Sequence, residues 1–292
     1  MTFQIEGVLP ALVTPFSHAG ETIDFESFGR LIEFQLEAKV SGVVVCGSTG
    51  EAMTLSDEEY LAAVRFVAER VKGRVPCIAG ISASATKRGV DVARNVRELG
   101  CDAVLVAAPP YNKPSQQGLL EHYRAIHREG GLPVIAYNIP GRSGVAISPQ
   151  TLGQLSREGV IVAVKESSGS MDTVIDVLRS VTSSCSVLSG EDSLVLGVLA
   201  YGGSGVISAC ANAFAHEFVT LHTAFRAGNL EAARIAQMDL IPKIRAMFIE
   251  SNPVPVKALL SVRKVIAHPT VRLPLVPLQL SSFEVVKAAC GI

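Results

Sequence analysis

The sequence predicts an α/β protein, a (β/α)8 TIM barrel with a C-terminal helical appendix. Eight short apolar runs rich in β-branched residues precede residue 215. They alternate with longer amphipathic segments, the pattern of strands and helices in turn. After residue 215 the pattern is helical only. Runs that are apolar throughout mark strands covered on both faces, which parallel sheets with crossover helices produce, and eight in succession suggest a closed barrel. An open, doubly wound sheet is the competitor. It would usually carry a glycine-rich nucleotide or phosphate fingerprint after its first strand, and neither GxGxxG nor GxxxxGK with Ser or Thr occurs there.

Taken in order, the runs are GVLPALVTP (7–15), SGVVVCGS (41–48), VPCIAGIS (75–82), DAVLVAAP (102–109), LPVIAYNIP (132–140), VIVAVKESS (160–168), CSVLSGE (185–191) and SGVISAC (204–210). Between the second and third, Ser56-Asp57-Glu58-Glu59 is a capping box, a serine able to cap with a glutamate three residues later, ahead of LAAVRFVAERV. After the fifth, Ser148-Pro149 starts a helix with proline in its first turn, where the missing N–H is not needed. Residues 193–215 carry no charge over 23 positions, long enough to cross a bilayer, but Gly202-Gly203-Ser204-Gly205 interrupts them. A helix, a glycine turn and a buried strand are expected instead. The last segment holds EAARIAQMDLIPKIRAMF and a helix at Asn252-Pro253, where Asn252 caps and Pro253 begins the first turn. The expected division is therefore a barrel over residues 1–225 and a helical extension over residues 226–292, with no low-complexity linker between them.

Composition narrows the function. The 292 residues are 48% hydrophobic and 18% charged, which supports a large core and excludes disorder. The 26 basic against 27 acidic residues leave a net charge of −1, unlike a protein whose main partner is nucleic acid or an anionic membrane. Cys46, Cys77, Cys101, Cys185, Cys210 and Cys290 are never closer than 24 residues, so no CxxC pair or zinc spacing exists. They read as small buried residues of a reducing compartment. The segment MTFQIEGVLP has neither a basic start followed by an apolar stretch nor a lipidation signal, so a cytoplasmic location is expected. The histidines at 18, 122, 127, 216, 222 and 268 form no HExxH and no triad. Neither a metal nor a cofactor is expected.

In a barrel, chemistry sits at the C-terminal strand ends. Lys165 ends Val160-Ile161-Val162-Ala163-Val164, and alternation puts it on the face of Ile161 and Ala163. Facing inward, its amine is desolvated and nucleophilic; the alternative is a lysine that snorkels to solvent. Tyr137 closes the preceding strand, where its phenol could relay protons beside Lys165, or be a satisfied core tyrosine. Gly47-Ser48-Thr49-Gly50-Glu51 offers two hydroxyls beside exposed N–H groups, a small anion site or an ordinary turn. Arg142 follows Tyr137 by five residues and could hold a carboxylate in bidentate fashion, or be a solvated loop residue. Tyr111 lies in the rigid loop Pro109-Pro110-Tyr111-Asn112-Lys113-Pro114, which can present an aromatic ring in a site or across a subunit contact.

Taken together, GSTGE at 47–51, YNIPGRSG at 137–144 and VKESSG at 164–169 resemble the pyruvate-dependent class I aldolase and lyase superfamily of dihydrodipicolinate synthase and N-acetylneuraminate lyase. PYNKPSQQG at 110–118, SGED at 189–192, GGSGVIS at 202–208 and ESNPVPVK at 250–257 resemble the dihydrodipicolinate synthase branch, and the likeness runs nearly end to end. The resemblance implies a lyase in which Lys165 forms an imine with pyruvate and Tyr137 shuttles protons to the enamine. Ser48 and Tyr111 complete the relay, Tyr111 reaching a neighbouring subunit. Thr49 holds the pyruvate carboxylate, the Ile207 carbonyl lies beside the imine, and Arg142 grips L-aspartate-4-semialdehyde. It also implies the diaminopimelate and lysine biosynthesis pathway and a homotetramer built from tight dimers.

Three positions depart from the family pattern. Ser48 replaces the usual threonine and loses the β-branch that restrains its rotamer. Pro110 stands where lysine-inhibited members have a second tyrosine, and Arg88 where they have a glutamate that pairs with the effector's ammonium. A cation there repels lysine, so insensitivity to lysine is expected. The rivals are another pyruvate-lysine aldolase, acting on a keto-sugar acid or 4-hydroxy-2-oxoglutarate, and a catalytically silent pyruvate binder on the same fold. The aldehyde pocket separates the first. The second would be expected to lose Lys165 or Tyr137 or to gain an effector domain; both residues are present, and no effector domain is expected.

Overall fold

The computed structural model describes residues 5–292. Its strands are β1 (Gly7–Pro10), β2 (Val43–Val45), β3 (Cys77–Ile81), β4 (Ala103–Ala107), β5 (Val134–Asn138), β6 (Ala163–Glu166), β7 (Ser186–Ser189) and β8 (Gly205–Ser208), each inside one of the apolar runs. They pair in parallel in the order β1-β8-β7-β6-β5-β4-β3-β2. The ring closes through a parallel bridge between Ala11 and Val44, where the Leu12 N–H donates to the Val44 carbonyl at 2.8 Å. The predicted barrel is present.

Why the runs are apolar throughout is visible in where alternate residues go. Leu9, Val44, Ile78, Leu105, Ile135, Ala163, Leu188 and Ile207 pack together in the lumen. Their neighbours Val8, Val43, Val45, Val104, Val134, Val164, Val187 and Val206 belong to the larger core between the barrel and its helices. Both faces of each strand are dry, as a helix-covered parallel barrel requires.

The helices are α1 (Phe25–Glu37), α2 (Asp57–Val71), α3 (Thr86–Glu98), α4 (Gln116–Gly130), α5 (Pro140–Ser143), α6 (Pro149–Arg157), α7 (Met171–Ser180), α8 (Val195–Ala200), α9 (Ala211–Arg226), α10 (Leu230–Met247), α11 (Val254–Val262) and α12 (Leu280–Cys290). The capping box forms at α2: Ser56 Oγ accepts from the Glu59 N–H at 3.2 Å and the Glu59 carboxylate accepts from the Ser56 N–H at 3.0 Å. Ser148 caps α6 through the Thr151 N–H, with Pro149 in the first turn. The uncharged stretch resolves into α8, a glycine turn, β8 and the start of α9. Gly205 is obligatory there, because a Cβ would lie 2.0 Å from the Gly7 carbonyl oxygen. Among the described residues no helix is long and apolar enough to cross a membrane.

One expectation is overturned in the C-terminal segment. The N-cap of α11 is Pro253 and makes no side-chain capping bond, and the Asn252–Pro253 peptide is cis. Asn252 does not cap the helix. Its Nδ2 donates instead to Thr49 Oγ1 at 2.9 Å, a satisfied contact to the barrel mouth that competes with any local cap. Here α10 packs along α9, and α12 against α10 and α11, so the extension lies against the last barrel helix.

Candidate active site

The regular strands position the amine. Tyr137 on β5 stands directly opposite Lys165 on β6 in the parallel register. Because Ala163 faces the lumen, Lys165 two residues later faces it too. Lys165 is 5% exposed, and its Nζ lies 4.3 Å from the centre of the Tyr137 ring. It does not snorkel. Nζ lies over the face of the ring, where little water competes for it.

Two polar residues that the sequence reading passed over fix this pair from outside the lumen. Buried Asn138 donates from Nδ2 to Glu166 Oε2 at 2.7 Å, and its Oδ1 accepts from the Ile147 N–H at 2.9 Å. Glu166 Oε1 accepts from the Ser168 N–H at 2.7 Å. This bracket ties the ends of β5 and β6 together beside Lys165 and Tyr137. Asn138 and Glu166 directly follow Tyr137 and Lys165 in the quoted motifs, and a carboxylate expected to be buried was the available signal.

The Gly47–Glu51 segment follows β2 at the same end of the barrel. A left-handed residue precedes it, Cys46 at φ 54°, and another ends it, Glu51 at φ 52°. Such backbone persists in a non-glycine residue only where surroundings hold it. Thr14 Oγ1 donates to the Gly50 carbonyl at 2.7 Å, and Gly80 on β3 admits the loop, since a Cβ there would lie 2.5 Å from the Cys46 carbonyl oxygen. Thr49 is buried and held by Asn252; Nη2 of the exposed Arg142, on α5, donates to the Asn252 carbonyl at 3.4 Å. Asn252 thus joins two residues predicted for carboxylate binding, while its own Oδ1 is buried without a partner among the described residues.

The remaining predicted residues are less closely joined. Ser48 is half-buried, and among the described residues its hydroxyl makes no hydrogen bond to Tyr137 or Tyr111. Ile207 sits on β8 in the lumen, paired with Leu9. Tyr111 is 92% exposed and stands away from the lumen in a left-handed conformation, φ 72°. Its loop is pinned by Asn112 Nδ2 on the Ser84 carbonyl at 2.8 Å. After β7, burial raises the carboxyls of Glu191 and Asp192, with the Asp192 charge adding to the rise at Glu191; hydrogen bonds from Ser208 and Cys210 oppose it at Asp192, and the positive charge of Lys165 opposes it at both. Asp192 also braces the turn by accepting from the Cys210 N–H at 3.1 Å. Arg88 makes a bidentate pair with Asp57 on the wall of a cavity of about 340 Å³ that Tyr60 and Asp91 also line.

The fold and the relatives that follow define a class, the barrel lyases whose chemistry runs through a Schiff base. Residues 4–290 match the model of the dihydrodipicolinate synthetase family. A 4-hydroxy-tetrahydrodipicolinate synthase from Geobacter sp. (strain M21) is 44% identical over 273 residues, 94% of this chain and 93% of that protein. The dihydrodipicolinate synthase of Thermotoga maritima superposes with a TM-score of 0.96 at 34% identity, covering 99% of this chain and 98% of that one. A chloride-inhibited dihydrodipicolinate synthase from Acinetobacter baumannii, solved in complex with pyruvate, gives 0.95 at 33% identity over 99% and 98% of the two chains. The chain belongs to the dihydrodipicolinate synthetase family.

Proposed function

We propose that this lyase condenses pyruvate with L-aspartate-4-semialdehyde, as a 4-hydroxy-tetrahydrodipicolinate synthase of diaminopimelate and lysine biosynthesis. The observation that carries the reading is the desolvated Lys165 amine lying on the Tyr137 ring at the mouth of the barrel. The amine adds to the pyruvate carbonyl and expels water, giving an imine whose nitrogen is the electron sink. Tyr137 takes a proton from the methyl carbon, the enamine attacks the aldehyde, and the same phenol returns a proton to the new alkoxide. The amino group of the second substrate then replaces Nζ at the imine carbon, closing the ring and freeing Lys165. One water is lost overall.

Thr49 and the loop N–H groups hold the pyruvate carboxylate, the Ile207 carbonyl lies beside the imine, and Arg142 grips the carboxylate of the aldehyde. Ser48 and Tyr111 extend the proton relay. The exposure of Tyr111 on a pinned left-handed turn supports its delivery to a neighbouring subunit in a homotetramer. Five buried free cysteines support a reducing, cytoplasmic setting. We also divide the chain into a barrel over residues 1–225 and an extension over residues 226–292. The test is turnover of the two substrates, followed as NADPH oxidation through added dihydrodipicolinate reductase, with and without borohydride pretreatment in pyruvate. Turnover abolished by that pretreatment is expected. A pyruvate adduct on Lys165 without turnover moves the reaction to another aldehyde, and no adduct removes the imine altogether.

A further inference from the structure

We propose that Glu51 and Lys257 are positioning residues for the keto acid: their buried ion pair fixes the loop that holds the pyruvate carboxylate, so the C-terminal extension sets the affinity for pyruvate. The inference rests on the reading of Thr49 and its neighbouring N–H groups as the carboxylate holder. Neither member of the pair touches the reacting atoms. They act through the Ser48–Gly50 backbone between Glu51 and the barrel.

The Glu51 and Lys257 side chains are 1% and 0% exposed, with Nζ 2.5 Å from Oε1. The second carboxylate oxygen accepts from the Arg272 N–H at 3.0 Å. Both partners of a carboxylate in the barrel therefore come from the extension. Lys257 is itself fixed, donating to the Thr270 carbonyl at 2.7 Å and lying 4.2 Å over the Phe16 ring. Arg272 is anchored by Glu59 of α2 through two contacts of 2.6 Å, and it donates to the carbonyls of Gly20, Glu21 and Thr54. Together with the Asn252–Thr49 bond, the extension grips the loop at two points, Thr49 and Glu51. A left-handed glutamate and a dry charge pair keep their geometry only while both charges are present.

Burial pulls the Lys257 ammonium down to about 8, against the opposing pull of Glu51, while Arg272 pushes it further down. The charges facing it are Glu51 and Arg272, and Arg272 is matched by Glu59. As pH rises through that value Lys257 becomes neutral and Glu51 loses its counter-charge. The loop is then held less tightly.

The test compares the wild-type enzyme with Lys257→Met and with Glu51→Gln/Lys257→Met, in which both buried charges are absent and the core can close without an orphan ion. In Lys257→Met the KM for pyruvate is expected to rise about tenfold, while kcat and the KM for the aldehyde stay within about twofold. The wild-type KM for pyruvate should climb above pH about 8, and the double variant should lack that climb. A folded variant with an unchanged KM for pyruvate, or a climb that survives in the double variant, overturns the proposal. Borohydride trapping of pyruvate on Lys165 at graded concentrations gives the same half-saturation without any aldehyde. A wild-type protein that traps pyruvate but does not turn over overturns the proposed aldehyde and leaves this inference to stand or fall on the trapping curves. A wild-type protein that traps none overturns both.

Discussion

The two walls of the site are built in opposite ways. On one, Tyr137 and Lys165 sit on adjacent strands, and register alone brings them together. On the other, Thr49 and Glu51 sit on a left-handed loop held by side chains 203 and 206 residues away. Strand alternation gives a reacting group a fixed direction at no conformational cost beyond the sheet itself. A loop can wrap an anion more closely but needs outside support to keep its shape. The proposed mechanism puts chemistry on the stiff wall and recognition on the supported one.

Changes on the strand wall should therefore strike turnover. Lys165→Ala should lower kcat by about 10⁴-fold or more and abolish the borohydride-trapped pyruvate adduct, measured by intact-protein mass. Residual turnover near the wild-type rate would break the assignment. Tyr137→Phe keeps the ring beneath Lys165 and removes the phenol, so kcat should fall by about 10²- to 10⁴-fold while pyruvate still traps on Lys165. Loss of trapping as well would assign Tyr137 to binding instead.

Changes on the loop wall should show in affinity and stability. In Gly80→Ala the new Cβ meets the Cys46 carbonyl and Gly47, displacing the loop. Thermal unfolding should show a loss of about 1–3 kcal/mol, with the KM for pyruvate raised more than kcat is lowered. An unchanged KM would mean that the loop tolerates displacement. The smallest effect concerns the cavity beside this wall, where Arg88 pairs with Asp57. Because a cation already occupies that position, 10 mM L-lysine should change the initial rate by less than about twofold. Clear inhibition would show that the Arg88–Asp57 pair opens to admit an ammonium.

The strand wall was the legible one. The apolar runs located all eight strands, and period-two alternation turned Lys165 inward before any contact was known. The GSTGE turn was legible as a glycine turn, but its supports were not. Asn252 before proline reads locally as a helix cap, and a local reading cannot see that Thr49 lies within reach. Lys257 and Arg272 look like surface charges in a helical tail, because pattern analysis sees neighbours in the chain and not in space. Cys77 and Cys101 give the same lesson: 24 residues apart, one begins β3 and the other lies just before β4, with sulfurs 4.0 Å apart.

The 206 residues between Glu51 and Lys257 are also an interval of time. At about 5–20 residues per second, a ribosome needs about 10–40 s to deliver the lysine after the glutamate. During that interval the nascent barrel can set Lys165 beside Tyr137 while Glu51 still lacks its counter-charge. On the proposed roles, the reacting pair can therefore be in place before the support of the keto-acid loop has been synthesised.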